Sequence, residues 1–224
     1  MKAQQSGFTL VEIAIVLVII GLLLGGILKG QELINSAKVK SLANDFRTIP
    51  TYIYAYQDKY KALPGDDSRA DTHIGGTPTP TVATTPAGKQ NNGVIDGNWY
   101  SGTNTEESFL FWQHIRLSNL APGPTNVADP NYWPTNAMGG VIGINSASAT
   151  AAQITGMTGT YQICSSGILG KFVKQLDIQM DDGDTATGSM RATANVGTTT
   201  FTQTTAIATA AIDDATTYTV CQTF

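Results

Sequence analysis

Glu12 is the only ionisable side chain in a 21-residue apolar run, Phe8 to Leu28, FTLVEIAIVLVIIGLLLGGIL. A carboxylate at the centre of such a span costs about 2.5–3.5 kcal/mol, less near an end, and usually finds a partner. Two readings are open: the carboxylate snorkels to the membrane interface, or it meets a cation. A cut after Gly7 would make that cation. The new α-amino group of Phe8 would then lie one helical turn from Glu12, or opposite it on a neighbouring copy.

The other candidate groups offer less chemistry. Asp66–Asp67, Asp181–Asp182 and Asp213–Asp214 are carboxylate pairs in turn-like sequence, where solvated loops are expected. Asp181, Asp182 and Asp184 could hold Ca²⁺, or form a solvated turn, which is the preferred reading. Asn91-Asn92-Gly93-Val94-Ile95-Asp96-Gly97-Asn98 has one carboxylate, too few for a calcium loop, and reads as a tight polar turn. His73 and His114 are the only histidines, and neither sits in a metal-binding spacing; His114 reads as a partly buried structural residue. There is no GxSxG, no phosphate-binding glycine loop and no cysteine–histidine pattern. No catalytic residue, resident metal or other cofactor is expected.

The whole-chain averages conceal the organisation. The 224 residues have 13% charged side chains and net charge −4, which argues against a charge-driven disordered chain or a basic nucleic-acid scaffold. Residues 1–61 carry seven basic against four acidic groups, and residues 62–224 six against 13, giving nets of +3 and −7. As a helix the apolar run would be about 31 Å long, enough to cross a bilayer core. An ordinary secretory signal fits badly, because MKAQQSG has one lysine and no small-x-small site follows the run. The loop charges (Lys2 on one side; Lys29, Lys38 and Lys40 on the other) slightly favour the wrong orientation for an exported head.

Gly7-Phe8-Thr9-Leu10-Val11-Glu12 followed by that run resembles the cleavage and methylation signature of type IV prepilins and type II secretion pseudopilins. The resemblance covers about the first 35 residues, and the short leader Met1–Gly7 resembles that of the type IVa class. It implies cleavage after Gly7 by a prepilin peptidase, N-methylation of Phe8, and neutralisation of a neighbour's amine by Glu12 during assembly. Family members often have proline where Lys29 stands. Gly21, Gly25 and Gly26 could then supply flexibility, or allow close helix packing.

Downstream, Val39, Leu42, Phe46, Ile49, Ile53, Tyr56, Tyr60 and Leu63 recur at spacings of three and four, the stripe of a helix pressed against an apolar surface. The expected partner is the chain's own sheet, with a coiled-coil seam as the alternative. The helix should be embedded from about residue 39, kink at Pro50 and stop before Pro64-Gly65. In the head, 75–92 reads as an exposed connection and a candidate for modification. Glu107–Leu120 and Lys171–Met180 read as amphipathic helices, the latter ending where Gly183 suits a left-handed cap. Tyr161–Cys164 reads as a strand, and the Thr-rich 185–224 as antiparallel strands and hairpins. QLDIQMDDG with Thr187-Gly188-Ser189 looks like a block of large proteobacterial pilin-like proteins. Cys164 and Cys221 should pair in an exported head, in what the resemblance makes the C-terminal disulfide region.

The expected fold class is therefore α+β, a pilin fold. A long N-terminal α-helix spans the membrane in its first half and packs in its second half against an antiparallel sheet. The expected organisation is a leader 1–7, a fibre-core helix 8–28, an amphipathic stem 29–63 and a head 64–224. The expected function is a non-enzymatic pilus subunit; a pseudopilin, a minor pilin and a tip adhesin are alternatives. Implied partners are copies of itself, the prepilin peptidase, inner-membrane assembly machinery and the membrane, with no nucleic acid. Implied locations are the inner membrane with a periplasmic head before assembly, and the cell surface or periplasm afterwards.

Overall fold

The computed structural model describes residues 9–147, 153–197 and 202–224. They divide into two compact units, one ending at Lys38 and the other running from Val39 to Phe224. Helix α1, Leu10–Tyr60, contributes to both.

In the first unit the helix has no core to cover. Its large apolar side chains from Leu10 to Leu28 are 46–91% exposed. It is the one helix among the described residues that is long and apolar enough to cross a membrane.

The second unit is built on the stripe. Val39, Leu42, Phe46, Ile49, Ile53 and Tyr56 are all buried, and Pro50 lies buried inside a helix assigned without a break. The helix ends at Tyr60, short of Leu63, because Lys61 turns into the left-handed region at φ 54°. After it come α2 (Ala70–His73), α3 (Glu107–Leu117), β1 (Ile142–Asn145), β2 (Gln162–Leu169), α4 (Gly170–Met180), β3 (Met190–Ala194) and β4 (Thr217–Thr223). The four strands form one antiparallel sheet in the order β1-β2-β4-β3. Six stripe residues, Val39, Leu42, Phe46, Ile49, Ile53 and Leu63, share one apolar cluster with Leu110, Phe111 and Ile115 of α3, Ile144 and Ile163 of the sheet, and Phe172 and Leu176 of α4. A long helix thus packs its later half against a four-stranded antiparallel sheet, the general architecture of the pilin fold.

Some elements differ from expectation. The α3 helix stops at Leu117 and is not amphipathic, since every residue from Glu107 to Arg116 is buried. It lies inside the core, where a helix is covered all round. Strand β2 extends past Cys164 to Leu169, accommodating a register shift between Ser165 and Ile168 where Gly167 takes φ 70°. Strand β1 has only four residues, too few to show a period. The Thr-rich segment supplies two antiparallel strands, but the chain between them is a long connection containing a short 3₁₀ turn at Thr209–Ala211.

Candidate functional site

The apolar stretch of α1 begins with a local device. Thr9, just before the first helical residue, donates to Glu12 Oε2 from its amide at 2.8 Å and from its hydroxyl at 2.8 Å. The Glu12 amide returns a bond to Thr9 Oγ1 at 3.3 Å. This is a reciprocal capping box, which satisfies two otherwise orphaned groups at a helix start. The Thr-x-x-Glu spacing of Thr9 and Glu12 is the sequence signal of such a box. The box leaves Glu12 Oε1 available, so capping and pairing with a cation are compatible.

In the head, Cys164 and Cys221 are bonded, and they stand directly opposite each other on β2 and β4. Both are fully buried, beside Trp99, Ile154 and Met157 in a second small core. Closing a 57-residue separation contributes about 4 kcal/mol on the chain-entropy model. The bond also fixes the register of the two central strands.

Asp66 and Asp67 are not in a solvated turn; each is only 2% exposed. Asp66 accepts the amides of Asn92 at 3.1 Å and Gly93 at 2.8 Å, so the 91–98 segment wraps a carboxylate. Burial pushes the Asp66 carboxyl up, and those amide donors oppose the shift. Asp67 accepts the Tyr56 hydroxyl at 2.9 Å and the Arg69 amide at 2.9 Å, with His73 Nδ1 at 2.8 Å. The end of the stem helix is thereby tied to the turn that follows it.

Two neighbours complete this buried polar cluster. His114 receives the Gly65 amide on Nδ1 at 2.9 Å and donates from Nε2 to the Thr81 carbonyl at 2.8 Å. That arrangement is a neutral imidazole protonated on Nε2, and burial keeps its pKa low. Gly65 has φ +92°, and a Cβ there would run into the Glu107 carbonyl, so glycine is required twice over. Glu107 is wholly buried and accepts the Asp96 amide at 2.8 Å. Burial first, then the charges of Asp66 and Asp96, push its carboxyl up to about 8. It is therefore mainly protonated at neutral pH. The cluster holds the helix end, the 91–98 turn and α3 together, and it has the hallmarks of a structural network.

The candidate calcium ligands are engaged in turn bonds. Asp181 accepts the Met190 amide at 2.7 Å, Asp182 the Asp184 amide at 2.9 Å and the Thr187 hydroxyl at 2.7 Å, and Asp184 the Ala186 amide at 3.1 Å. Among the described residues no group of three or more His, Cys, Asp or Glu side chains is arranged to hold a metal. Gly183 takes φ 87°, and its amide donates to Asp177 Oδ1 at 2.8 Å, closing the end of α4. The Asp213–Asp214 pair lies at the surface, where Asp214 meets Lys174 at 2.9 Å.

Residues 2–28 match the model of the prokaryotic N-terminal methylation motif. The chain carries a prepilin-type methylation signal. No curated protein and no solved structure matches this chain. The methylation motif ends at Leu28, the last residue of the continuous apolar run, and it contains Glu12 and the capping box. Gly7 and Phe8, the expected cleavage and methylation positions, lie within the motif but outside the described residues.

Proposed function

We propose that the chain is a structural subunit of a type IV pilus or a related filament, with no catalytic role. A peptidase removes Met1–Gly7, the amine of Phe8 is methylated, and the subunit waits in the inner membrane until it is extracted into the filament. The observation that carries this reading is the apolar surface of Leu10–Leu28, exposed on all sides and headed by a methylation motif. A monomer leaves that surface without a protein partner. A bilayer covers it before assembly, and the same helix of neighbouring copies covers it afterwards.

In this reading the apolar packing supplies affinity, while Glu12 supplies register by pairing with the Phe8 amine of the adjoining subunit. The disulfide-bonded head lies on the outside of the fibre. Supporting the proposal, among the described residues of the head the large apolar side chains left exposed are Tyr54, Ile178 and Phe224, which form no run comparable to Leu10–Leu28. The test is co-assembly of Glu12→Ala with wild-type subunits. Membrane insertion should persist and incorporation should fall at least tenfold. Normal incorporation of the variant would refute the register role, and failure of the wild-type chain to enter any filament would refute the function.

A further inference from the structure

The turn that wraps Asp66 contains the one Asn-Gly pair of the chain, Asn92-Gly93. Glycine has no side chain to shield its backbone nitrogen, so that nitrogen can attack the carboxamide carbon of the asparagine before it. Each group such an attack needs is held in place here. The Gly93 amide donates to Asp66 Oδ2 at 2.8 Å, so a carboxylate sits on the proton of the nucleophile. Burial pushes the Asp66 carboxyl up, which makes it a stronger base than a surface aspartate. Asn92 Oδ1 accepts the Val94 amide at 2.8 Å, an Asx turn that folds the carboxamide back over the Asn92–Gly93 peptide. The same amide faces the oxygen on which negative charge would develop. Nδ2 donates to Asp96 Oδ2 at 2.9 Å, so the carboxamide is held at both ends. Asn92 and Gly93 are exposed, and an open cavity of about 520 Å³, which Asp66 also lines, lets water reach them.

We propose that Asn92 is a self-modification site, at which the folded head converts its own asparagine to aspartate and isoaspartate. Asp66 Oδ2 takes the Gly93 N–H proton as that nitrogen forms a bond to Asn92 Cγ. The carbonyl electron pair moves onto Oδ1, where the Val94 N–H meets it. When the pair returns, the Cγ–Nδ2 bond breaks. Nδ2 takes up the proton that Asp66 releases through solvent, and leaves as ammonia. Water then opens the cyclic imide at either carbonyl, leaving a carboxylate at position 92. The reaction occurs once per chain and adds a negative charge to a turn already flanked by Asp66 and Asp96. Asn126 and Asn136 make the same Asx bond, to the amides of Ala128 at 3.0 Å and Met138 at 2.8 Å. They are followed by Val127 and Ala137, and so serve as internal controls.

The test is the rate of conversion at Asn92 in the full-length chain in a neutral detergent. Peptide mass spectrometry reads it, with the incubation in ¹⁸O-labelled water so that conversion during digestion is not counted. A positioned general base contributes roughly 10²–10⁴-fold, and the restraint on the carboxamide offsets part of that. Conversion should therefore run at least about tenfold faster in the folded chain than in the same chain unfolded in guanidinium chloride, with Asn126 and Asn136 unchanged. Asp66→Asn, which keeps an acceptor for the Gly93 amide but removes the base, should lower the folded rate to the unfolded one or below, with the near-ultraviolet circular dichroism of the original chain. A folded rate equal to or below the unfolded one would mean that the turn merely holds Asn92 still, and would overturn the proposal. So would an Asp66→Asn chain that converts as fast as the original. The folded-against-unfolded comparison needs no substitution, and it decides the matter by itself if Asp66→Asn does not fold.

Discussion

Leu10–Leu28 and Val39–Tyr56 are stretches of one helix with opposite needs. The first exposes apolar side chains on every face, and its glycines meet nothing: a Cβ on Gly21, Gly25 or Gly26 would have no neighbour within 4 Å. The second buries one stripe against a core in which glycines are tightly enclosed. A Cβ on Gly143 would run into the Trp99 carbonyl, and one on Gly140 into the Ser166 carbonyl. The contrast separates two sources of stability. The head is stabilised by its own interior, whereas the first stretch is stabilised by whatever covers it.

Paired substitutions should expose that division, and glycine gives the largest effect. Gly143→Val should prevent the head from folding, read as loss of near-ultraviolet circular dichroism, because backbone has to move. Gly25→Val should leave head melting unchanged while disturbing helix packing in the filament. A head that tolerates Gly143→Val would break the contrast. Next in size, Phe46→Ala should destabilise the head by about 3–5 kcal/mol in denaturant unfolding. Leu17→Ala should change that value by less than about 0.5 kcal/mol. Equal effects would mean that Leu17 has a partner in the head.

The smallest expected effect is a pH slope. The Glu107 carboxyl titrates near 8 in the folded chain against an ordinary value of 4.5, so between these values the folded state holds the extra proton. Its contribution is fully present below the ordinary value and is lost as pH rises through about 8. Asp45 and Asp177, which titrate near 6, give a similar decline at lower pH. The Glu107 share is therefore read between pH 6.5 and 9, where the melting temperature should fall. Glu107→Gln should flatten that fall. A variant with the same slope would remove Glu107 as its cause.

Much of the frame was legible because its signals are local. The stripe from Val39 to Tyr56 shows its period within a few turns, Phe172, Val173 and Leu176 do the same for α4, and two cysteines leave one intramolecular pairing. The Asp66–Asp67 burial was not legible. Their partners, Asn92, Gly93, Tyr56 and His73, come together only when the helix end, α2 and the 91–98 turn have folded around them. The α3 helix misled for a similar reason: Ser108, Gln113 and His114 look like a polar face, yet the fold buries them all. At Glu12 the difficulty was different, since one carboxylate belongs both to a readable cap and to a proposed intersubunit contact.

The account rests on Leu10–Leu28 being delivered to a filament by processing at Gly7. The N-terminal mass of the chain recovered from sheared surface filaments or from a periplasmic pseudopilus tests this most directly. It should begin at Phe8, carry one methyl group on the α-amine and retain the Cys164–Cys221 bond. A mature chain that begins at Met1, or at any residue after Phe8, would contradict it.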